Sequence, residues 1–198
     1  MIDNKSIGWM GDEPTEIVIN TFNERIIKPG DRLLDIGCGF GRNSNWLAGK
    51  GVIVTAININ DDEIKQAKIK AQELQVNVNY IHANAVSLPF PDSSFEVALD
   101  LGCTHMITNR NRQVKAMKET ARILTPGGYL IYFGFSKNHP SYMKNKKKSM
   151  FRSFKDIQDM YGSEFETLSH EETRWEPRPE EYTNFKEHTG VNVVMKRK

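Results

Sequence analysis

Asp35, Gly37, Gly39 and Gly41 occupy alternate positions in the run Leu33-Leu34-Asp35-Ile36-Gly37-Cys38-Gly39-Phe40-Gly41-Arg42. Each residue type there has a chemical use. Glycine has no Cβ, so an apolar strand that ends at Gly-x-Gly-x-Gly lets backbone approach a ligand closely. The amphipathic segment that follows aims its first NH groups at the same space. Asp35 adds a negative charge where a cation can sit. The set suits a small ligand carrying an ammonium or sulfonium group better than one carrying a pyrophosphate.

A nicotinamide dinucleotide site asks for G-x-G-x-x-G and an acid about 20 residues further on. Counted from Gly37, the third glycine belongs where Arg42 stands; it comes one residue early, at Gly41, and the acid's place holds Asn58. Both departures count against a dinucleotide. A second chemical stretch is Asp100-Leu101-Gly102-Cys103-Thr104-His105-Met106. His105 is the candidate general base by position, with packing or capping a helix start as the structural alternative. Cys103 faces the reaction centre or serves as a small buried filler. Asp100 fixes the backbone around them.

These residues need a frame. The pattern predicts helices over 15–28, 42–50, 61–74, 112–124 and 153–161. It predicts strands over 32–36, 52–57, 76–82, 95–101, 129–135, 165–172 and 191–196. The alternation in 76–82 suggests a strand near a sheet edge, and Pro126-Gly127-Gly128 reads as a turn. Strand and helix in turn over some 120 residues imply a doubly wound parallel sheet, placing ligands at the carboxyl ends of its strands.

At 198 residues, one domain is the expectation, with 38% apolar and 26% charged content fitting a globular chain. A net charge of +2 does not argue for nucleic acid. The two cysteines lie far apart without a CxxC pair, so neither a zinc site nor a disulfide framework is expected, and a cytoplasmic location is the simplest reading. The first 14 residues lack the apolar core of a signal peptide, and no apolar run has the length of a membrane span.

Three segments together carry a resemblance: LLDIGCGFGRNSNWLA (33–48), ANAVSLPFPDSSFEVALDLG (83–102) and ARILTPGGYLIYF (121–133). The chain resembles the class I, Rossmann-like S-adenosylmethionine-dependent methyltransferases of the UbiE or methyltransferase-11 type, over roughly residues 15–135. The resemblance implies an α/β fold: a doubly wound, mostly parallel seven-stranded sheet with helices on both faces and the last strand antiparallel. It implies S-adenosyl-L-methionine as cofactor, held by Asp35, Gly37, Cys38, Gly39, Asn58, Ile59, Asn84, Ala85 and Leu101. In the family the positions of Asn58 and Asn84 usually hold acids, for the ribose hydroxyls and the adenine amino group. An amide oxygen still accepts those hydrogen bonds but loses charge assistance.

The expected arrangement is a single methyltransferase domain over 1–198. Within it, 1–14 form an N-terminal lid segment, 15–135 the cofactor-binding core and 136–198 the acceptor-facing loops and last strands. Trp9, Met10, His105, Tyr142, Trp175 and Arg178 are expected to face a small, partly apolar acceptor. No metal is called for, and neither membrane nor nucleic acid is expected as a partner. Two other readings stay open. An RNA or protein methyltransferase would dock through the lysines at 144 and 146–148. A non-catalytic nucleoside-binding protein would account for Asn58 and Asn84.

Overall fold

A strand covered on both faces must be apolar on both, and the two leucines of Arg32–Ile36 meet that demand. Leu33 and Leu34 are fully buried, yet they belong to different apolar clusters. The computed structural model describes residues 13–142, 144, 150–176 and 187–198. Their elements run α1 (Glu16–Asn23), β1 (Arg32–Ile36), α2 (Arg42–Gly49), β2 (Ile53–Asn58), α3 (Asp61–Glu73), β3 (Val78–His82) and β4 (Phe95–Leu101). After a 3-10 turn at Thr104–Met106 come α4 (Arg110–Ile123), β5 (Leu124–Phe135), α5 (Phe154–Tyr161), β6 (Phe165–Trp175) and β7 (His188–Arg197).

The strands form one sheet in the order β3-β2-β1-β4-β5-β7-β6. The pairs from β3 across to β5 are parallel, and β7 lies antiparallel between β5 and β6. Ile17, Val18, Leu47, Ile64 and Ala67 cover one face from α1, α2 and α3. Ala116, Met117, Ile157 and Tyr161 cover the other from α4 and α5. The doubly wound sheet with its last strand antiparallel is thus observed, and β3 is an edge strand as its alternation suggested.

Several boundaries differ from the sequence pattern, most of them at α1, β5, β6 and β7. α1 ends at Asn23 rather than 28, because Arg25 takes a left-handed conformation with φ 60°. The Ile26 and Arg25 amides then bond back to the Thr21 and Phe22 carbonyls, which closes the helix without a glycine. Pro126-Gly127-Gly128 is not a free turn but an irregular stretch inside β5. Phe95 pairs with Leu124 and Val97 already with Tyr129, so residues 125–128 bulge past Glu96. A side chain at Gly128 would meet the Glu96 carbonyl at 2.8 Å, which is why the bulge needs glycine there. β6 and β7 are longer than predicted; the β6 extension ends at Trp175, and β7 begins at His188. Among the described residues, no helix is long and apolar enough to cross a membrane.

Candidate functional site

The strand order reverses between β1 and β4, and such a switch point opens a crevice at the strands' carboxyl ends. The glycine turn stands on its β1 side. Gly37, Gly39 and Gly41 have φ of 76°, 54° and 80°, a region closed to most side chains. Their roles differ. A Cβ on Gly37 would lie 2.6 Å from the Cys103 side chain, and one on Gly41 would strike the Tyr80 hydroxyl, so both serve close packing. Among the described residues nothing above Gly39 comes nearer than the Glu63 carboxylate at 4.0 Å, which leaves open space over this glycine. The Gly37 and Cys38 amides both donate to the Ile57 carbonyl, at 2.9 and 3.0 Å, which ties the turn to β2.

Asp35 lies beneath this turn, 3% exposed, and accepts from the Ser44 hydroxyl at 2.6 Å. Burial pushes its carboxyl up to about 6, against the opposing pull of Ser44 and of the Arg42 charge. Asp35 is therefore ionised at neutral pH, but at a cost that a ligand cation would offset.

At the end of β2, Asn58 is nearly buried. Its oxygen accepts from the Asn60 amide at 3.2 Å, and its NH2 donates to Glu63 Oε2 at 2.6 Å. The other oxygen of Glu63 accepts from the Asn60 side chain at 3.1 Å. Ile59, beside it, leaves 65% of its surface exposed. At the end of β3, the Asn84 oxygen accepts from the Val86 amide at 3.1 Å, an Asx turn that holds Ala85 buried.

On the β4 side, Asp100 is wholly buried and organises the rim. It accepts from the Thr104 amide at 2.9 Å, from the Thr104 hydroxyl and from Tyr161 at 3.3 Å. Leu101, half-buried, ends the strand. Cys103 packs against Gly37, and burial together with the charges of Asp100 and Asp35 pushes its thiol far up. A thiol held neutral in this way is a filler, not a nucleophile. His105 is 2% exposed, edge-on to Phe135, and neither ring nitrogen has a hydrogen-bond partner of good geometry among the described residues. Burial, then the nearby Arg152 charge, pushes it down to about 4, so it is neutral at pH 7.

Beyond β4 the rim turns aromatic. Trp175 packs on Phe133, Phe135 and His188, and Tyr142 on Phe151. His139 accepts the Ser141 amide on Nδ1 at 3.1 Å, so its proton is on Nε2, which donates to His188 Nδ1 at 2.7 Å. Burial, then His188, pushes His139 down to about 4. His170, five residues before Trp175 on β6, stacks instead on Phe154 of α5 at 3.6 Å. Trp9, Met10, Arg178 and the lysines at 146–148 lie outside the described residues.

The structure therefore brings the predicted residues of β1, β2 and β4 to one rim, and it adds Glu63, His139 and His188. Glu63 had a signal: it is the third helical residue after the Asn60 cap, where a carboxylate reaches back. The two histidines, 49 residues apart, had none.

A family model described as a methyltransferase domain matches residues 34–132, half of the chain. The chain is 37% identical over 112 residues to a 27-O-demethylrifamycin SV methyltransferase of Amycolatopsis mediterranei (strain S699), covering 55% of this chain and 40% of that one. It is 36% identical over 115 residues to the ubiquinone/menaquinone biosynthesis C-methyltransferase UbiE of Vibrio vulnificus (strain YJ016), covering 56% and 43%. The chain thus spans under half the length of these curated relatives. A crystal structure of a SAM-dependent methyltransferase from Methanosarcina mazei superposes with a TM-score of 0.78 at 24% identity, over 93% of this chain and 98% of that one, a likeness of fold.

Proposed function

The chain belongs to the methyltransferase-domain family, and from that premise we propose that it is an S-adenosyl-L-methionine-dependent methyltransferase acting on a small-molecule acceptor. The observation that carries this reading is the open glycine turn above a buried, ionised Asp35. When bound, S-adenosylmethionine supplies a methyl group on a positively charged sulfur, which is already a good leaving group.

The residues fit that cofactor. Asp35 attracts its cationic end, and Gly39 leaves room for the chain of atoms that crosses the turn. Ile59 offers an exposed apolar surface for a flat base. Cys38, Leu101 and Cys103 keep the floor apolar, which excludes water from the transfer. Asn84 and Ala85 stand where the far end of the nucleoside falls, one strand beyond Asn58.

Residues 15–135 form the cofactor-binding part in this reading, and 136–198 the acceptor-facing part. Trp175, Phe135 and Tyr142 suit a small, partly apolar acceptor. Both curated relatives are named for small organic acceptors, which supports that class. His105 is neutral and weakly basic. It suits an acceptor that is already nucleophilic, which it orients by a hydrogen bond more than it deprotonates.

Titration calorimetry with S-adenosylmethionine and S-adenosylhomocysteine tests the cofactor, and label transfer from methyl-labelled S-adenosylmethionine to panels of thiols, phenols, amines and RNA tests the acceptor. Binding with transfer to one of the small-molecule panels is expected. Silence toward both ligands at millimolar concentration sinks the reading. Binding without transfer to any acceptor leaves a nucleoside-binding protein, and transfer to RNA alone replaces the acceptor class.

A further inference from the structure

The amide at the end of β2 looks like a loss of charge at the cofactor site, but the charge is present. Glu63 brings a carboxylate onto Asn58 from the first turn of α3, at 2.6 Å. The same carboxylate is the nearest group to the open side of Gly39. The placement of Glu63 three residues after the N-cap accounts for the bond that its Oε1 accepts from the Asn60 side chain. It does not explain why Oε2 reaches back to the strand and faces the glycine turn. Each carboxylate oxygen has two acceptor sites, and the amides occupy one on each, which leaves two directed away from Asn58 and Asn60. Glu63 is half-buried, so those sites are reachable from solvent.

We propose that Glu63, rather than Asn58, is the residue that accepts the vicinal hydroxyls of the cofactor's ribose, with Asn58 and Asn60 acting as positioning residues that hold its carboxylate in place. This rests on the cofactor reading above. Two hydroxyls on neighbouring carbons are a pair of donors, and a carboxylate with two spare acceptor sites receives both. Charge-assisted bonds of this kind are about twice as strong as neutral ones. Adjacent strand ends are about 4.8 Å apart. Asp35 near the end of β1, Glu63 in the first turn of α3 just past β2, and Asn84 just past β3 thus follow a nucleoside from its cationic tail to its base.

Restoring an acid at position 58 is not expected to strengthen binding. Asn58→Asp would set two carboxylates against each other at hydrogen-bond distance and remove the donor that orients Glu63. The test is a calorimetric titration of S-adenosylhomocysteine and its 2′-deoxy analogue into the intact chain and into Glu63→Gln, Asn58→Asp and the double variant Asn58→Asp/Glu63→Gln, each with a melting curve. Glu63→Gln should weaken S-adenosylhomocysteine about 10- to 30-fold, as a charged acceptor becomes neutral. It should also erase the parent's preference for the ribose over the 2′-deoxyribose form. Asn58→Asp should weaken binding as well, and the double variant, which exchanges acid and amide, should recover most of the affinity. Glu63→Asp provides a second test should Glu63→Gln melt early; its shorter side chain should weaken binding and preserve part of the 2′-hydroxyl preference.

Parent binding with unchanged affinity in Glu63→Gln, or tighter binding in Asn58→Asp, overturns the role of Glu63 and leaves the cofactor reading intact. Absence of binding by the parent chain overturns the cofactor reading, and this inference with it.

Discussion

The two ends of the rim are built in opposite ways. At the ends of β1 and β2, polar side chains find partners close in sequence: Asp35 meets Ser44 nine residues on, and Asn58 meets Glu63 five residues on. On the side of β5, β6 and β7, His139 meets His188 across 49 residues, and Phe135 meets Trp175 across two strands. At those two strand ends the polar contacts are local devices, made by a turn or cap to its own neighbouring backbone and side chains. The second end exists only once β7 has inserted between β5 and β6. In the proposed function the first kind of construction serves the cofactor and the second the acceptor, where a change in any one loop would alter the wall.

The largest effect is expected at Asp35. Asp35→Asn removes the buried carboxylate beneath the glycine turn and should weaken S-adenosylmethionine about 100-fold, the loss of a desolvated charge pair. The same change should raise the melting temperature of the unliganded chain. Burial raises the Asp35 pKa from 3.8 to about 6, so the folded chain takes up a proton in that window that the unfolded chain does not. The stability tied to this group is present below the unfolded value and lost as pH rises through about 6; the amide avoids that loss, worth about 2–3 kcal/mol. A variant that binds worse and melts lower would mark Asp35 as purely structural.

Smaller effects should separate the two ends. Trp175→Ala should lower kcat/KM for the true acceptor about tenfold through lost apolar contact, with cofactor affinity held within about twofold. A parallel loss of cofactor affinity would merge the two ends into one site. His105→Phe exchanges a ring without hydrogen-bond partners of good geometry among the described residues for an apolar one of similar shape, so the melting temperature should hold or rise. Turnover should fall about fivefold if the imidazole orients the acceptor by one neutral hydrogen bond; unchanged turnover makes His105 a packing residue only. The mildest is Ile59→Ser, expected to cost about threefold in affinity for S-adenosylhomocysteine through lost apolar cover of the base. Equal affinities would remove Ile59 from the site.

Sequence patterns reached much of this, unevenly. β1 and β4 fall where their apolar runs place them, because strands covered on both faces leave little freedom in composition. The glycine turn is legible because left-handed backbone strongly favours glycine. The end of α1 was not, since Arg25 adopts that conformation without being glycine. Position 58 shows a related limit. Read residue by residue, Asn58 is a missing acid; in three dimensions the carboxylate comes from the next helix. The aromatic end was legible only as composition, an excess of rings after residue 135, because what pairs them is strand order rather than spacing.

The most direct test of the central claim is the pH dependence of S-adenosylmethionine binding to the unaltered chain, followed by calorimetry from about pH 8 to about pH 5. Affinity should be level above about pH 6 and should loosen by up to about tenfold per unit below it, as Asp35 takes up its proton and stops attracting the cation. Affinity that stays constant through that range, or no binding at either end of it, would contradict the assignment of this rim to a cationic cofactor.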